Sequence, residues 1–225
     1  MPSAVDQRPI SAGTLHRFCA DRDLESGSPY VPARESPTGR RAAIVGAGPA
    51  GLAAAYHLLR RGHAVTIFDA HALPGGMLRY GVPAFRLPRV VLDREIDAIR
   101  ALGAELRMGL KLGRDFGLDD LRRDFHAVFV ALGAQGSRGL GIPGEELAFP
   151  AAELLERTAE GRPPELTGEV VVLGGGSVAM DSSRTAVRLG ARSVKLLYRR
   201  SRGEMPCLPA EVEAAEAEGV RVDPS

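Results

Sequence analysis

Arg41-Ala42-Ala43-Ile44-Val45-Gly46-Ala47-Gly48-Pro49-Ala50-Gly51 holds a short apolar run, Ala42 to Val45, that breaks into a glycine turn. The chain resumes with helix-like periodicity from Leu52 to Arg60 and turns at Gly62. It then runs through Ala64-Val65-Thr66-Ile67-Phe68 to Asp69. Strand, glycine turn, helix, strand and acid, in that order, make a dinucleotide-binding unit. Gly46 suits the tight turn, Gly48 a close approach of backbone to pyrophosphate, and Gly51 close packing of helix on strand. The free amides and positive dipole end of the helix face the phosphates. Asp69, twenty-three residues beyond Gly46, stands where a carboxylate accepts hydrogen bonds from an adenosine ribose. Glycine also marks ordinary turns, and an acid at a strand end is often only solvated; here the flanking elements agree with the turn.

The theme returns downstream. Glu169-Val170-Val171-Val172-Leu173 reads as a strand, Gly174-Gly175-Gly176-Ser177-Val178-Ala179 as a second turn, and Met180 to Leu189 as a helix. Ala179 replaces the third glycine, which the fingerprint allows. The next strand, Ser193 to Tyr198, ends on Arg199-Arg200 where the first unit has an acid. Guanidinium groups there suit a 2′-phosphate and so favour NADPH over NADH; the plainer reading is a solvated basic turn.

Between and around the turns the pattern is α/β. Paired glycines in Pro74-Gly75-Gly76-Met77 allow a second close backbone approach or simply a flexible loop. Ala84 to Leu102 suits an amphipathic helix, Ala104 to Met108 a short strand, and Phe116 to Phe125 a helix. His126 to Leu132 reads as a buried-type strand running into Gly133, either a close pass by a cofactor or a turn. Ala151 to Glu160 and Glu211 to Gly219 read as helices, and Val220 to Val222 comes after the last. At the start, Ile10 to Asp23 forms a short helix with Leu15, Phe18 and Cys19 on one face, followed by a Ser/Pro/Gly-rich linker. This divides the chain into an arm (1–39), a first nucleotide unit (40–145) and an incomplete second one (146–225).

The 225 residues carry a net charge of +1, with acids and bases interspersed, so bulk charge points to neither nucleic acid nor membrane. Lysine occurs only at positions 111 and 195, a composition that carries no function. Cys19 and Cys207 form no CxxC pair, which argues against a metal or iron–sulfur site built by this chain and against thioredoxin reductase-type chemistry. No apolar signal core or membrane span is evident, and a soluble cytoplasmic protein is expected.

Beyond single motifs, the chain resembles the glutamate synthase small-subunit family of two-dinucleotide flavoproteins, including the flavin half of dihydropyrimidine dehydrogenase. The resemblance rests on Gly46–Gly51, Gly75 to Pro83 followed by Phe85-Arg86-Leu87-Pro88, Ala131-Leu132-Gly133-Ala134, Ile142-Pro143-Gly144-Glu145, Gly174–Asp181, and Tyr198-Arg199-Arg200 with Met205-Pro206. It implies two Rossmann-like units, FAD in the first and NADPH in the second, with hydride passing from nicotinamide to flavin and electrons onward to a partner. On this basis Gly46, Gly48, Ala50 and Gly51 meet the FAD pyrophosphate and Asp69 its ribose. Gly76, Met77 and Arg86 line the path to the flavin, Leu112 lies near the adenine, and Gly133 passes the cofactor. Gly174, Gly175, Gly176, Ser177 and Val178 take the NADPH pyrophosphate, and Arg199 and Arg200 its 2′-phosphate. The cofactors carry such chemistry, so no catalytic side chain is expected.

Two departures accompany the resemblance. The cysteine-rich leading domain of such proteins is absent, as is the C-terminal return to the flavin, so the family pattern reads as truncated at both ends. An electron-accepting partner (an iron–sulfur protein or a glutamate synthase large subunit-like chain) or self-association is therefore expected. The alternative is a split or non-catalytic module that holds cofactors only with a partner chain. A one-nucleotide dehydrogenase is disfavoured by the second turn.

Overall fold

The computed structural model describes residues 11–28, 30–134, 136, 139 and 141–224. In chain order the elements are α1 (Ala12–Glu25), β1 (Arg41–Val45), α2 (Pro49–Arg60), β2 (Ala64–Asp69), α3 (Met77–Tyr80), α4 (Arg89–Ala101), β3 (Glu105–Met108), α5 (Leu118–Asp124) and β4 (Ala127–Val130). Next come α6 (Ala151–Ala159), β5 (Glu169–Leu173), α7 (Ser177–Arg188), β6 (Ser193–Tyr198), α8 (Pro209–Ala217) and β7 (Val220–Pro224). They build two parallel sheets, one ordered β3-β2-β1-β4 and the other β5-β6-β7. Parallel pairing with helical crossovers is the expected α/β architecture.

Past the exposed Arg41, β1 is apolar because both of its faces are covered. Ile44 turns to one side with Leu59, Val65, Ile67, Leu92 and Ile96, the last two from α4. Ala43 and Val45 turn to the other side with Phe68 and Leu121. There the Phe68 ring lies 5.0 Å from Phe116 and 6.0 Å from Phe125. Each fully buried aliphatic side chain in such a layer contributes about 1.5–3 kcal/mol. The second sheet has its own core, with Met180, Ala186, Val194, Leu196, Val212 and Ala215 joining α7, β6 and α8. Helix α6 packs on both α3 and α7 and so ties the two sheets together.

Three sequence expectations change. His126 to Leu132 reads as a buried-type strand, yet Phe129 and Val130 are exposed, as are Val171 and Leu173 of β5. The reason is topological: β4 pairs only with β1 and β5 only with β6 among the described residues, so each is an edge strand. In β5 the alternation is clean, with Val170 and Val172 against the second core and Val171 and Leu173 turned outward. The helix expected over 84–102 begins only at Arg89, after Pro88, and α7 begins three residues early, at Ser177.

The arm also differs. α1 has no buried residue, Leu15 and Phe18 are exposed, and the expected start at Ile10 lies outside the described residues. By contrast, the supposed linker is fastened to the body. Arg34 donates to Leu59 O and Leu102 O, capping α2 and α4, while the Glu35 and Thr38 amides donate to Arg60 O and Gly62 O. No helix among the described residues is long and apolar enough to cross a membrane.

Leu196→Ala, in the second core, should cost about 2–5 kcal/mol by urea unfolding. Val171→Ala, on the open face of β5, should stay within about 0.5 kcal/mol of the parent.

Candidate nucleotide-binding site

Both glycine turns are built by the same backbone device. Gly46, at φ 115°, donates its N–H to Phe68 O at 2.7 Å; Gly174, at φ 134°, donates to Leu197 O at 2.9 Å. Each strand end is thus clipped to its neighbour just before the chain turns into a helix. Those φ values lie where an L side chain is strained. In the first turn a Cβ on Gly46 would come within 2.2 Å of Ala131 O, and one on Gly51 within 1.8 Å of Gly46 O. The crossover through Ala131 to Gly133 therefore presses directly against the turn. In α2 the Leu52 N–H closes back on Gly48 O, leaving the preceding amides in the position from which helix N-termini bind anions.

The remaining first-unit residues assemble around this turn, though not all as expected. Gly76 meets it backbone to backbone, since a Cβ there would lie 2.7 Å from Gly48 Cα. Met77 opens α3 and is exposed. Leu112 is half-buried beyond β3, on a loop whose Leu110 N–H donates to Asp69 O at 2.9 Å. Asp69 ends β2 beside the turn, but its carboxylate already has protein donors. Oδ2 accepts the Ala47 N–H at 2.7 Å, and Oδ1 accepts the His71 N–H at 2.8 Å and faces His71 Nδ1 at 3.1 Å. Oδ2 keeps a second acceptor position.

In the second unit Gly174, Gly175 and Gly176 lead into α7, which Ser177 and Val178 begin. A Cβ on Gly175 would strike the Tyr198 ring at 2.6 Å, so this glycine is fixed by close packing against the end of β6. Ala179, in the third-glycine position, fits: its Cβ lies 3.4 Å from where a Cβ on Gly174 would be. Arg199 and Arg200 come directly after β6 and are both exposed. At both turns the glycines are required by backbone conformation and close packing, and each turn leads into a helix N-terminus, a donor set that fits a pyrophosphate group.

Between the units Arg86, expected on the path to the flavin, meets partners that sequence reading missed. Arg86 turns its fork toward the second unit, Nη1 to Asp181 Oδ2 at 2.8 Å and Nη2 to Glu211 Oε1 at 2.6 Å. His71 Nε2 meets Glu156 Oε1 of α6 at 2.9 Å, and its ring stacks on Tyr80 at 4.2 Å. The signal that could have found Asp181 is a carboxylate inside an otherwise inward-facing run, Ala179-Met180-Asp181-Ser182-Ser183. Nothing in the sequence marked Glu156 as the partner of His71.

A family model described as pyridine nucleotide-disulphide oxidoreductase matches residues 40–223, which take in both turns and both sheets. The chain belongs to that family. It is 44% identical over 242 residues to the NADP(+)-dependent formate dehydrogenase subunit beta of Moorella thermoacetica, covering 96% of this chain and 34% of that protein. With the NADPH glutamate synthase small chain of Escherichia coli it shares 38% identity over 224 residues, covering 94% and 48%. It superposes on FprA of Mycobacterium tuberculosis in complex with NADPH with a TM-score of 0.68 at 24% identity, over 79% of this chain and 47% of that one, a likeness of fold. The chain thus spans about a third to a half of the length of these relatives. The two cysteines of the chain are both free, Cys19 exposed and Cys207 buried.

Burial works against the His71 imidazolium, but the hydrogen bonds to Glu156 and Asp69 outweigh it and raise the pKa above 6.5. A raised folded-state pKa gives stability that is full below pH 6.5 and is lost as pH climbs through the raised value. Glu156→Gln should therefore lower the urea midpoint at mildly acidic pH, and the gap from the parent should close as the medium becomes alkaline. A gap independent of pH would contradict the assignment.

Proposed function

We propose that this chain carries the cofactor-binding turns of an NADPH-dependent flavoenzyme that passes hydride from NADPH to FAD and electrons onward to a partner subunit. The observation that carries this reading is the pairing of two turns of one construction with opposite charge beyond them. Asp69 lies past the first turn, and Arg199 with Arg200 past the second. A carboxylate selects free ribose hydroxyls, whereas exposed guanidinium forks select a 2′-phosphate.

Each residue then has a task of binding or orientation. Gly46, Gly48, Ala50 and Gly51 present backbone to the FAD pyrophosphate, and Asp69 takes the ribose through the free side of Oδ2. Leu112 borders the adenine, Gly76 and Met77 the approach to the flavin, and Gly133 the crossover. Gly174, Gly175, Gly176, Ser177 and Val178 receive the NADPH pyrophosphate. Bound cofactors supply the redox chemistry, a nicotinamide donating hydride and a flavin releasing electrons singly. The protein contributes proximity and orientation.

The names of the relatives, a beta subunit and a small chain, support a partner. We take that partner to be an iron–sulfur protein or a glutamate synthase large subunit-like chain, with the assembly working in the cytoplasm. A second reading, in which the flavin turn holds its cofactor only with further polypeptide over it, is favoured by the exposed outer residues Val130 and Leu132 beside Gly133.

The test is selectivity at the second turn. Changing Arg199 and Arg200 together to Ser should raise the Kd for NADP+ at least ~10-fold, the scale of one charge-assisted hydrogen bond, and leave NAD+ within about twofold. Equal loss for both nucleotides, or none, would contradict the assignment.

A further inference from the structure

Phe85 and Arg86, adjacent residues of the first unit, are inserted against the helices of the second. The Phe85 ring is held by two guanidinium groups of α7, Arg184 at 4.6 Å and Arg188 at 3.8 Å from its centroid. Arg86, set by that anchor, faces Asp181 and Glu211, whose side chains are only 6% and 10% exposed. Glu211 reaches the nucleotide turn itself: its Oε2 accepts the Ser177 hydroxyl at 2.9 Å and the Leu208 N–H at 2.9 Å. Asp181 lies one helical turn beyond Ser177, and its Oδ1 is buried without a hydrogen-bond partner.

Two buried carboxylates thus stand behind the helix N-terminus that is to receive a pyrophosphate. Arg184, the other cation near Asp181, has its fork engaged by Glu218 at 2.7 and 3.0 Å. Arg86 is consequently the cation in contact with both acids. Anions are drawn to a helix N-terminus by partial positive charge, and nearby negative charge in a low-dielectric setting opposes them. We infer that Arg86 of the first unit offsets part of the negative charge that Asp181 and Glu211 place behind the second glycine turn, so that NADPH affinity depends on the two units being docked. Arg86 is a positioning residue in this role, separate from any contact with flavin. Burial pushes the Asp181 carboxyl up, and Arg86 works in the opposite direction, as such a placement requires.

The inference rests on reading the second turn as the NADPH site. It is tested on the full chain by calorimetric titration with NADP+, comparing Arg86→Gln, Arg86→Lys, Glu211→Gln and the double variant Arg86→Gln/Glu211→Gln. Couplings of this kind are commonly ~5-fold or more. Arg86→Gln should raise the Kd by that factor, Arg86→Lys, which keeps the charge but gives up the fork, should lie between the parent and Arg86→Gln, and the double variant should recover most of the loss. Glu211→Gln alone, which keeps an acceptor for Ser177, should bind at least as tightly as the parent and gives a reading even if Arg86→Gln does not fold. An unchanged Kd in Arg86→Gln, a double variant as weak as the single one, a lysine variant as weak as the glutamine one, or weakening by Glu211→Gln would each overturn the charge account. No binding by the parent would instead overturn the nucleotide reading of the turn, and this inference with it.

Discussion

Two backbone hydrogen bonds, Gly46 N–H to Phe68 O and Gly174 N–H to Leu197 O, are the constraint on which the rest of the molecule depends. Each pins the end of a strand to its neighbour at a φ that favours glycine, and thereby aims the next helix with its N-terminus at the carboxyl end of the sheet. Open parallel sheets bind ligands at that end. The core positions serve this geometry. Ile44 and Ile67 hold β1 against β2, and Leu196 holds β6, so that strand ends and helix starts keep their relation.

Because the two turns share a design, their difference lies in the side chains at the end of the second strand of each unit. Asp69 follows the one turn and Arg199-Arg200 the other, and in the proposed reading they give like turns opposite charge preference. Asp69 has a second duty that the pattern hid, since its carboxylate also fastens Ala47 within the turn and orients His71. A shift in its position would therefore disturb the turn as well as the ribose contact proposed for it.

Much of this was legible in the sequence because it depends on local chemistry. Glycine placement, the apolar runs of β1 and β2 and the charge at strand ends are each fixed within a few residues, and the α/β order came from them. Contacts made across the chain escaped. That β4 and β5 are edge strands is a property of sheet order, which a run such as Val170-Val171-Val172-Leu173 does not encode. That Arg86 faces Asp181 and Glu211, and His71 faces Glu156, depends on how the two units meet. The helix expected over 84–102 is delayed by Pro88 to Arg89, and the loop so formed carries Phe85 and Arg86 to α7.

The most direct test of the central claim is anaerobic titration of the FAD-reconstituted chain with NADPH, followed by visible absorbance. Two working nucleotide sites between which hydride passes predict that the flavin band bleaches with NADPH and persists with the same concentration of NADH. A chain that binds no FAD, or a bound flavin that stays oxidised under NADPH, would contradict the account.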